Sequence, residues 1–262
     1  LFDGLLSGCA ETKLRNRRIP NGTYGGVRGQ IANKLFAIFL LYYLRAMNTN
    51  RINVEELDSL TEKEPVFMLD TRPANAFVEG FIPGSVSAGS SGKYDKWIAE
   101  NIADPLVVLI SEAGNEDEAI ARFQSAFPSI SWKVLDGGFE AWEKASCPLD
   151  MIIEVEADEL ALDLPHDPHL QVIDLRGEEE FEAAHVTKAQ HIPLAELIDL
   201  ATIANFDEDQ QLYLHCGGGQ RSILAASLIK KQGVHNLRVV AGGFDAIQRE
   251  KSIPITRKPS HS

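Results

Sequence analysis

The chain has 262 residues, of which 44% are apolar, and a formal charge of −13. That length allows about two domains with cores of their own, and the acidic balance argues against a nucleic-acid partner, since phosphate binding relies on clustered lysine and arginine. Three cysteines, Cys9, Cys147 and Cys216, are odd in number and widely separated, which fits a reducing compartment, by default the cytoplasm, better than a disulfide framework.

Residues 1–50 stand apart in composition, with seven lysines and arginines against Asp3 and Glu11. The apolar run Leu35–Leu44 would span only about 15 Å as a helix, half of a bilayer core, so no membrane span is expected. It also starts too late for a signal peptide, and no small-residue cleavage site follows it. The chain opens on leucine rather than methionine. Residues 1–50 are therefore read as an N-terminal extension or the remnant of an upstream domain, and the chain as a fragment.

Residues 51–148 and 149–262 read as two copies of one domain. Val66-Phe67-Met68-Leu69-Asp70-Thr71-Arg72 matches Val172-Ile173-Asp174-Leu175-Arg176, with Asp70 and Asp174 separated by 104 positions. Phe77 and Phe181 keep that shift, and Gly137-Gly138-Phe139 matches Gly242-Gly243-Phe244 at 105. A repeat of this length is a domain duplication, not a solenoid.

In the second copy the pattern predicts a strand over Gln171–Leu175, a short acidic helix over Glu178–Ala184, a strand over Leu212–His215, a helix over Ser222–Gln232 and a strand over Leu237–Val240. Alternating strands and helices imply an α/β fold in which each copy is a mostly parallel sheet flanked by helices. Ligands of such sheets bind at the carboxyl ends of strands. The segment His166-Asp167-Pro168-His169 is the nearest approach to a metal-ligand cluster, but its proline breaks a helical ligand pair, so a turn is expected there and no metal or cofactor is called for.

Cys216 occupies such a strand end, in Cys216-Gly217-Gly218-Gly219-Gln220-Arg221-Ser222, directly before the predicted helix. The loop amides and the helix dipole favour a thiolate or bound anion, and Arg221 adds a full charge. Three consecutive glycines disfavour strand and helix alike, and suit a backbone that curls around a ligand atom. Cys216 is thus the candidate nucleophile, with Gly217, Gly218, Gly219, Gln220 and Arg221 as its anion cradle. In the first copy Ser111 falls opposite Cys216 and Glu116 opposite Arg221. Ser111 has no neighbouring base, and Glu112, Glu116, Asp117 and Glu118 would repel an alkoxide or an anionic substrate, so this copy is expected to be inactive.

These residues resemble the rhodanese family: Val172–Arg176 followed by Glu180-Phe181 and His185, then Cys216–Arg221, then Gly242-Gly243-Phe244. The resemblance implies two rhodanese-like domains, the first inactive, and a sulfurtransferase in which Cys216 takes the outer sulfur of a small-molecule donor as a persulfide and passes it to a thiol or other nucleophile. In detail the loop looks most like the rhodanese pairs fused behind metallo-β-lactamase-like hydrolases and persulfide dioxygenases, which implies a metallo-hydrolase domain or protein as partner. Six residues from Cys216 to Arg221 match the sulfur carriers of this fold, whereas the related phosphatases have seven.

Asp174 and Arg176 are read as supporting residues that shape the site, with Arg176 paired to Glu180. His185 and His215 flank the site and are read as structural, and Cys147 as packing. The donor stays open between thiosulfate and a thiol persulfide. The competing reading is a non-enzymatic interaction or regulatory module of a larger sulfur-metabolism protein, with Cys216 incidental.

Overall fold

The computed structural model describes residues 50–258 except 103–105, 129 and 207–208. Cys9, the run Leu35–Leu44 and the rest of the N-terminal extension lie outside the described residues.

In the first copy, β1 (Arg51–Ile52), β2 (Phe67–Asp70), β3 (Val86–Ser87), β4 (Leu106–Ile110) and β5 (Ser131–Leu135) form a parallel sheet in the order β1-β5-β4-β2-β3. Helices α1 (Val54–Thr61), α2 (Ala74–Glu79), α3 (Asp95–Asn101), α4 (Glu116–Ala126) and α5 (Gly138–Lys144) alternate with these strands. The start of α1 is fixed by a capping box, in which the Asn53 side chain accepts from the Glu56 amide at 2.9 Å and the Glu56 carboxylate accepts from the Asn53 amide at 3.2 Å.

The second copy repeats this plan with β6 (Ile153–Val155), β7 (Leu170–Asp174), β9 (Gln190–His191), β10 (Gln211–His215) and β11 (Leu237–Val240), in the order β6-β11-β10-β7-β9. Its helices are α6 (Ala157–Asp163), α7 (Glu178–Ala183), α8 (Leu200–Ala204), α9 (Gln220–Lys231) and α10 (Gly243–Ile247). Replacing β1, β5, β4, β2 and β3 by β6, β11, β10, β7 and β9 converts one sheet order into the other, so the duplication read from sequence holds strand by strand. Parallel pairing buries both faces of the central strands. Val107 to Ile110 in β4 and Leu212 to Leu214 in β10 are fully buried.

Two details depart from the predicted elements and a third agrees. Helix α9 starts two residues early, at Gln220, because Gly219 takes a left-handed conformation (φ 98°) that ends the loop there. Strand β8 (Ala184–Val186) pairs antiparallel with β12 (Ile255–Arg257), a long-range contact that no local pattern announces. The segment from His166 to His169 turns as expected, held by His169 N–H donating to Asp167 Oδ1 at 2.8 Å.

The copies share a buried contact. Helix α9, which begins at the Cys216 loop, lies against edge strand β3 of the first copy, where the Ser87 amide donates to Ser227 Oγ at 3.1 Å. An otherwise unpaired edge amide is satisfied in this way, and the first copy becomes a rest for the helix that carries the loop.

Candidate active site

Strand β10 ends at His215, and Cys216 follows at the carboxyl edge of the sheet, only 1% exposed. The Gly219 amide donates to Cys216 Sγ at 3.2 Å, and Ser222 Oγ lies 3.7 Å from the sulfur while donating to Gly219 O at 2.7 Å. The thiol therefore sits inside the loop at the N-terminus of a twelve-residue helix, where N–H groups converge and the dipole favours negative charge.

Behind the loop, α10 approaches so closely that only glycine fits. A Cβ on Gly243 (φ 57°) would lie 2.4 Å from Cys216 O and 2.6 Å from Gly217 O. The space left by the missing side chain lets the Phe244 amide donate to Cys216 O at 2.6 Å and the Asp245 amide to Gly217 O at 3.2 Å. With the Gly217 carbonyl turned toward α10, the amide of the same peptide unit, on Gly218, points away from α10.

Asp174 and Arg176 form a buried unit beside the site. Asp174 accepts from Arg176 Nε at 2.9 Å and Nη2 at 2.6 Å, Arg176 Nη2 also donates to Ala184 O at 2.6 Å, and the guanidinium stacks 3.8 Å over Phe244. The first copy contains the same unit: Arg72 binds Asp70, donates to Gly80 O at 2.8 Å and stacks 3.6 Å over Phe139. In the first copy the unit stands complete where there is no cysteine.

The expected Arg176–Glu180 pair is not formed. Asp174, two residues away, already holds Arg176, and Glu180 reaches across to Arg221 instead, accepting from Nη1 at 2.9 Å and Nη2 at 3.1 Å. The pairing lowers the Glu180 carboxyl below its ordinary value and raises Arg221 above its own. Arg221 thus stands at the loop with its charge already matched. Gln220 lines, with Tyr94 and Ser90 of the first copy, a cavity of about 40 Å³ at the junction of the copies.

His215 is fully buried, with Nε2 3.7 Å from Asp174 Oδ2 and neither ring nitrogen hydrogen-bonded among the described residues. Burial pushes it down to about 4, with Asp174 partly opposing, so the ring is neutral at pH 7. His185 is engaged elsewhere: its Nδ1 meets Phe181 O at 2.8 Å, and its ring stacks on Phe181 at 4.0 Å. His191, which sequence reasoning passed over, also stacks on Phe181, at 4.3 Å, and meets Arg176 O at 2.8 Å. Cys147 packs against the core of the first copy.

At the equivalent place in the first copy, Ser111 follows β4 and Gly138 (φ 62°) stands where Gly243 stands. One peptide plane is turned over. A Cβ on Gly138 would meet the Ala113 nitrogen at 2.8 Å, where Gly243 would meet the Gly217 oxygen. The Ala113 amide donates outward to Glu140 Oε2 at 2.8 Å, and the Glu112 carbonyl turns the other way, accepting from the Asn115 amide at 3.1 Å. Both ends of the Glu112–Ala113 peptide are thus engaged within the first copy.

The sequence profile of the rhodanese-like domain matches residues 53–145 and again 156–250. The chain belongs to the rhodanese-like family. Similar proteins include the "Putative sulfur carrier protein YrkF" of Bacillus subtilis, 35% identical over 108 residues, which are 41% of this chain and 55% of that protein. The thiosulfate sulfurtransferase GlpE of Pseudoalteromonas translucida is 29% identical over 101 residues, 38% of this chain and 93% of that protein. A crystal structure of thiosulfate sulfurtransferase from Pseudomonas aeruginosa aligns with 84% of this chain and 48% of its own, at 21% identity and a TM-score of 0.35. The matched region spans 55% of YrkF and 57% of a second Bacillus subtilis relative, YqhL, little more than half of either. Among the described residues no helix is long and apolar enough to cross a membrane, and no group of three or more His, Cys, Asp or Glu could hold a metal ion.

Proposed function

We propose that the second rhodanese copy is a sulfurtransferase with Cys216 as sulfur carrier and the first copy as its scaffold. The reading is carried by one observation: the Cys216 sulfur accepts a hydrogen bond from the Gly219 amide at the N-terminus of α9. The thiolate attacks the outer sulfur of a donor. The new S–S bond forms as the donor's S–S bond breaks, and the donor leaves as a thiolate, or as sulfite if the donor is thiosulfate. An acceptor thiolate then attacks the outer sulfur of the Cys216 persulfide, takes it away as its own persulfide and returns Cys216 as thiolate. The outer sulfur stands about 2 Å beyond Sγ, within the loop, where the cradle amides of Gly217 to Arg221 stabilise its charge.

Because Glu180 offsets Arg221, the cradle has little surplus positive charge, which favours a thiol persulfide such as that of glutathione over the dianion thiosulfate. A reducing compartment, the cytoplasm, suits a free carrier thiol. A metallo-hydrolase domain or protein as partner rests on the form of the Cys216–Ser222 loop alone.

Intact-protein mass spectrometry after incubation with glutathione persulfide or thiosulfate tests this reading. A gain of one sulfur atom, mapped to Cys216, removed by dithiothreitol and absent in Cys216→Ser, is expected. No adduct from either donor, with Cys216 reduced, overturns it in favour of a docking module.

A further inference from the structure

We propose that the first copy uses its altered loop to bind a small alkylammonium group, the opposite charge preference to that of the Cys216 cradle. A cavity of about 120 Å³ opens there, lined by Arg72, Ser111, Glu112, Asn115, Glu118 and Arg122 among others. Both arginines are already matched. Arg72 is held by Asp70, with Nη2–Oδ2 at 2.7 Å, and Arg122 by both oxygens of Asp95 and by Gly89 O at 2.6 Å. What remains is the charge of Glu112 and Glu118, of which Glu112 also accepts from Asn115 Nδ2 at 3.0 Å.

The acidic rim alone would be a solvated surface. Ser111 adds an observation of a different kind: its hydroxyl is buried, the residue being 2% exposed, and has no hydrogen-bond partner among the described residues. A buried hydroxyl left unpaired carries a desolvation penalty, which a ligand at the cavity would recover. The inverted peptide extends the argument. Ala113 N–H is spent on Glu140 outside the loop, so it is not offered to an anion, and the Glu112 carbonyl already accepts from the Asn115 amide at 3.1 Å. Serine oxygen and two carboxylates form an acceptor set, and an ammonium is a compact cation that offers three donors and no acceptor. The cavity is close in size to engineered ones of about 150 Å³ that hold benzene, so it suits a short amine or the tip of a lysine side chain. A free amine and a lysine of a partner protein share this chemistry. The proposal stands whether or not Cys216 carries sulfur.

The test uses the whole chain, labelled with nitrogen-15, in amide-resolved NMR titrations with ethylammonium, with ethanol as neutral control, with thiosulfate as anionic control, and with a lysine-containing peptide. Saturable shifts at Ser111, Glu112 and Asn115 with ethylammonium, absent with ethanol and thiosulfate, are expected. Glu112→Gln with Glu118→Gln, both at solvent-accessible positions, should weaken binding about tenfold, and Ser111→Ala severalfold. Peptide binding tighter than ethylammonium assigns the ligand to a partner's lysine, and equal binding assigns it to a free amine. No saturation by either amine well beyond the millimolar range, shifts equally produced by ethanol or thiosulfate, or undiminished binding in the double variant with its distant amides unmoved, overturns the proposal.

Discussion

Glu180 and Arg221, 41 residues apart in sequence, meet in a two-pronged ion pair at the mouth of the Cys216 loop, with N···O distances of 2.9 and 3.1 Å. The pair joins α7 to the first turn of α9 and sets the charge that an incoming donor meets. A guanidinium matched in this way positions the loop but attracts a dianion only weakly. The first copy has no such clamp, because Glu116 stands in place of Arg221.

Glu180→Gln should free that charge. We expect kcat/KM for thiosulfate to rise about three- to tenfold, the worth of roughly one ordinary hydrogen bond, with the gain shrinking at high salt. A thiol-persulfide donor should respond less. Steady-state kinetics with both donors at two ionic strengths decide the matter; equal loss with both would mean that the pair only shapes the loop.

The duplicated Asp–Arg unit gives a prediction with an internal control. Asp174→Ala and Asp70→Ala each leave a buried arginine without its carboxylate, and should cost about 3–5 kcal/mol. Both losses should appear in urea unfolding. Only Asp174→Ala should also reduce sulfur transfer under conditions where both variants are folded, since Asp70 supports a copy without cysteine. Equal loss of activity in the two variants would remove the division into carrier and scaffold.

Much of this was legible in sequence because it is local. Cys216 at a strand end, the glycines after it and the helix beyond are consecutive, and the Asp-x-Arg spacing recurs in both copies. The strands predicted over Gln171–Leu175 and Leu212–His215 fall within a residue of β7 and β10. What was not legible depends on reach across the fold. Glu180 lies near Arg176 in sequence, yet the stronger geometry links it to Arg221. The turned peptide at Glu112–Ala113 depends on the Glu140 side chain, 27 residues away, capturing an amide. The pairing of β8 with β12 joins segments about 70 residues apart and has no local signature.

Gly243→Ala and Gly138→Ala form a second matched pair. Both glycines have positive φ, and an added Cβ would press on loop backbone at 2.4 Å and 2.5 Å respectively. Strain of this kind costs about 1–3 kcal/mol each. Gly243→Ala should also displace Cys216 and Gly217, and so lower persulfide formation by an order of magnitude or more, while Gly138→Ala should leave it near wild type. Thermal melts read the common cost, and adduct mass spectrometry reads the difference.

His215 predicts how stability depends on pH. Its folded value of about 4 lies below the ordinary 6.5 because burial opposes the charged ring. A depressed histidine is protonated first in the unfolded chain, so its contribution is complete above pH 6.5 and is lost as pH falls from 6.5 toward 4. The loss should reach roughly 3 kcal/mol by pH 4. Glu180 acts in a lower window, because a carboxyl lowered by Arg221 gives up its stabilisation only below its ordinary 4.5. The two are separated by His215→Leu, which removes the titration together with two unpaired ring nitrogens. Its neutral-pH stability should match or exceed wild type, and its curve from pH 6.5 to 4.5 should be flatter. Parallel curves for the two proteins in urea unfolding across that window would show that another group titrates there.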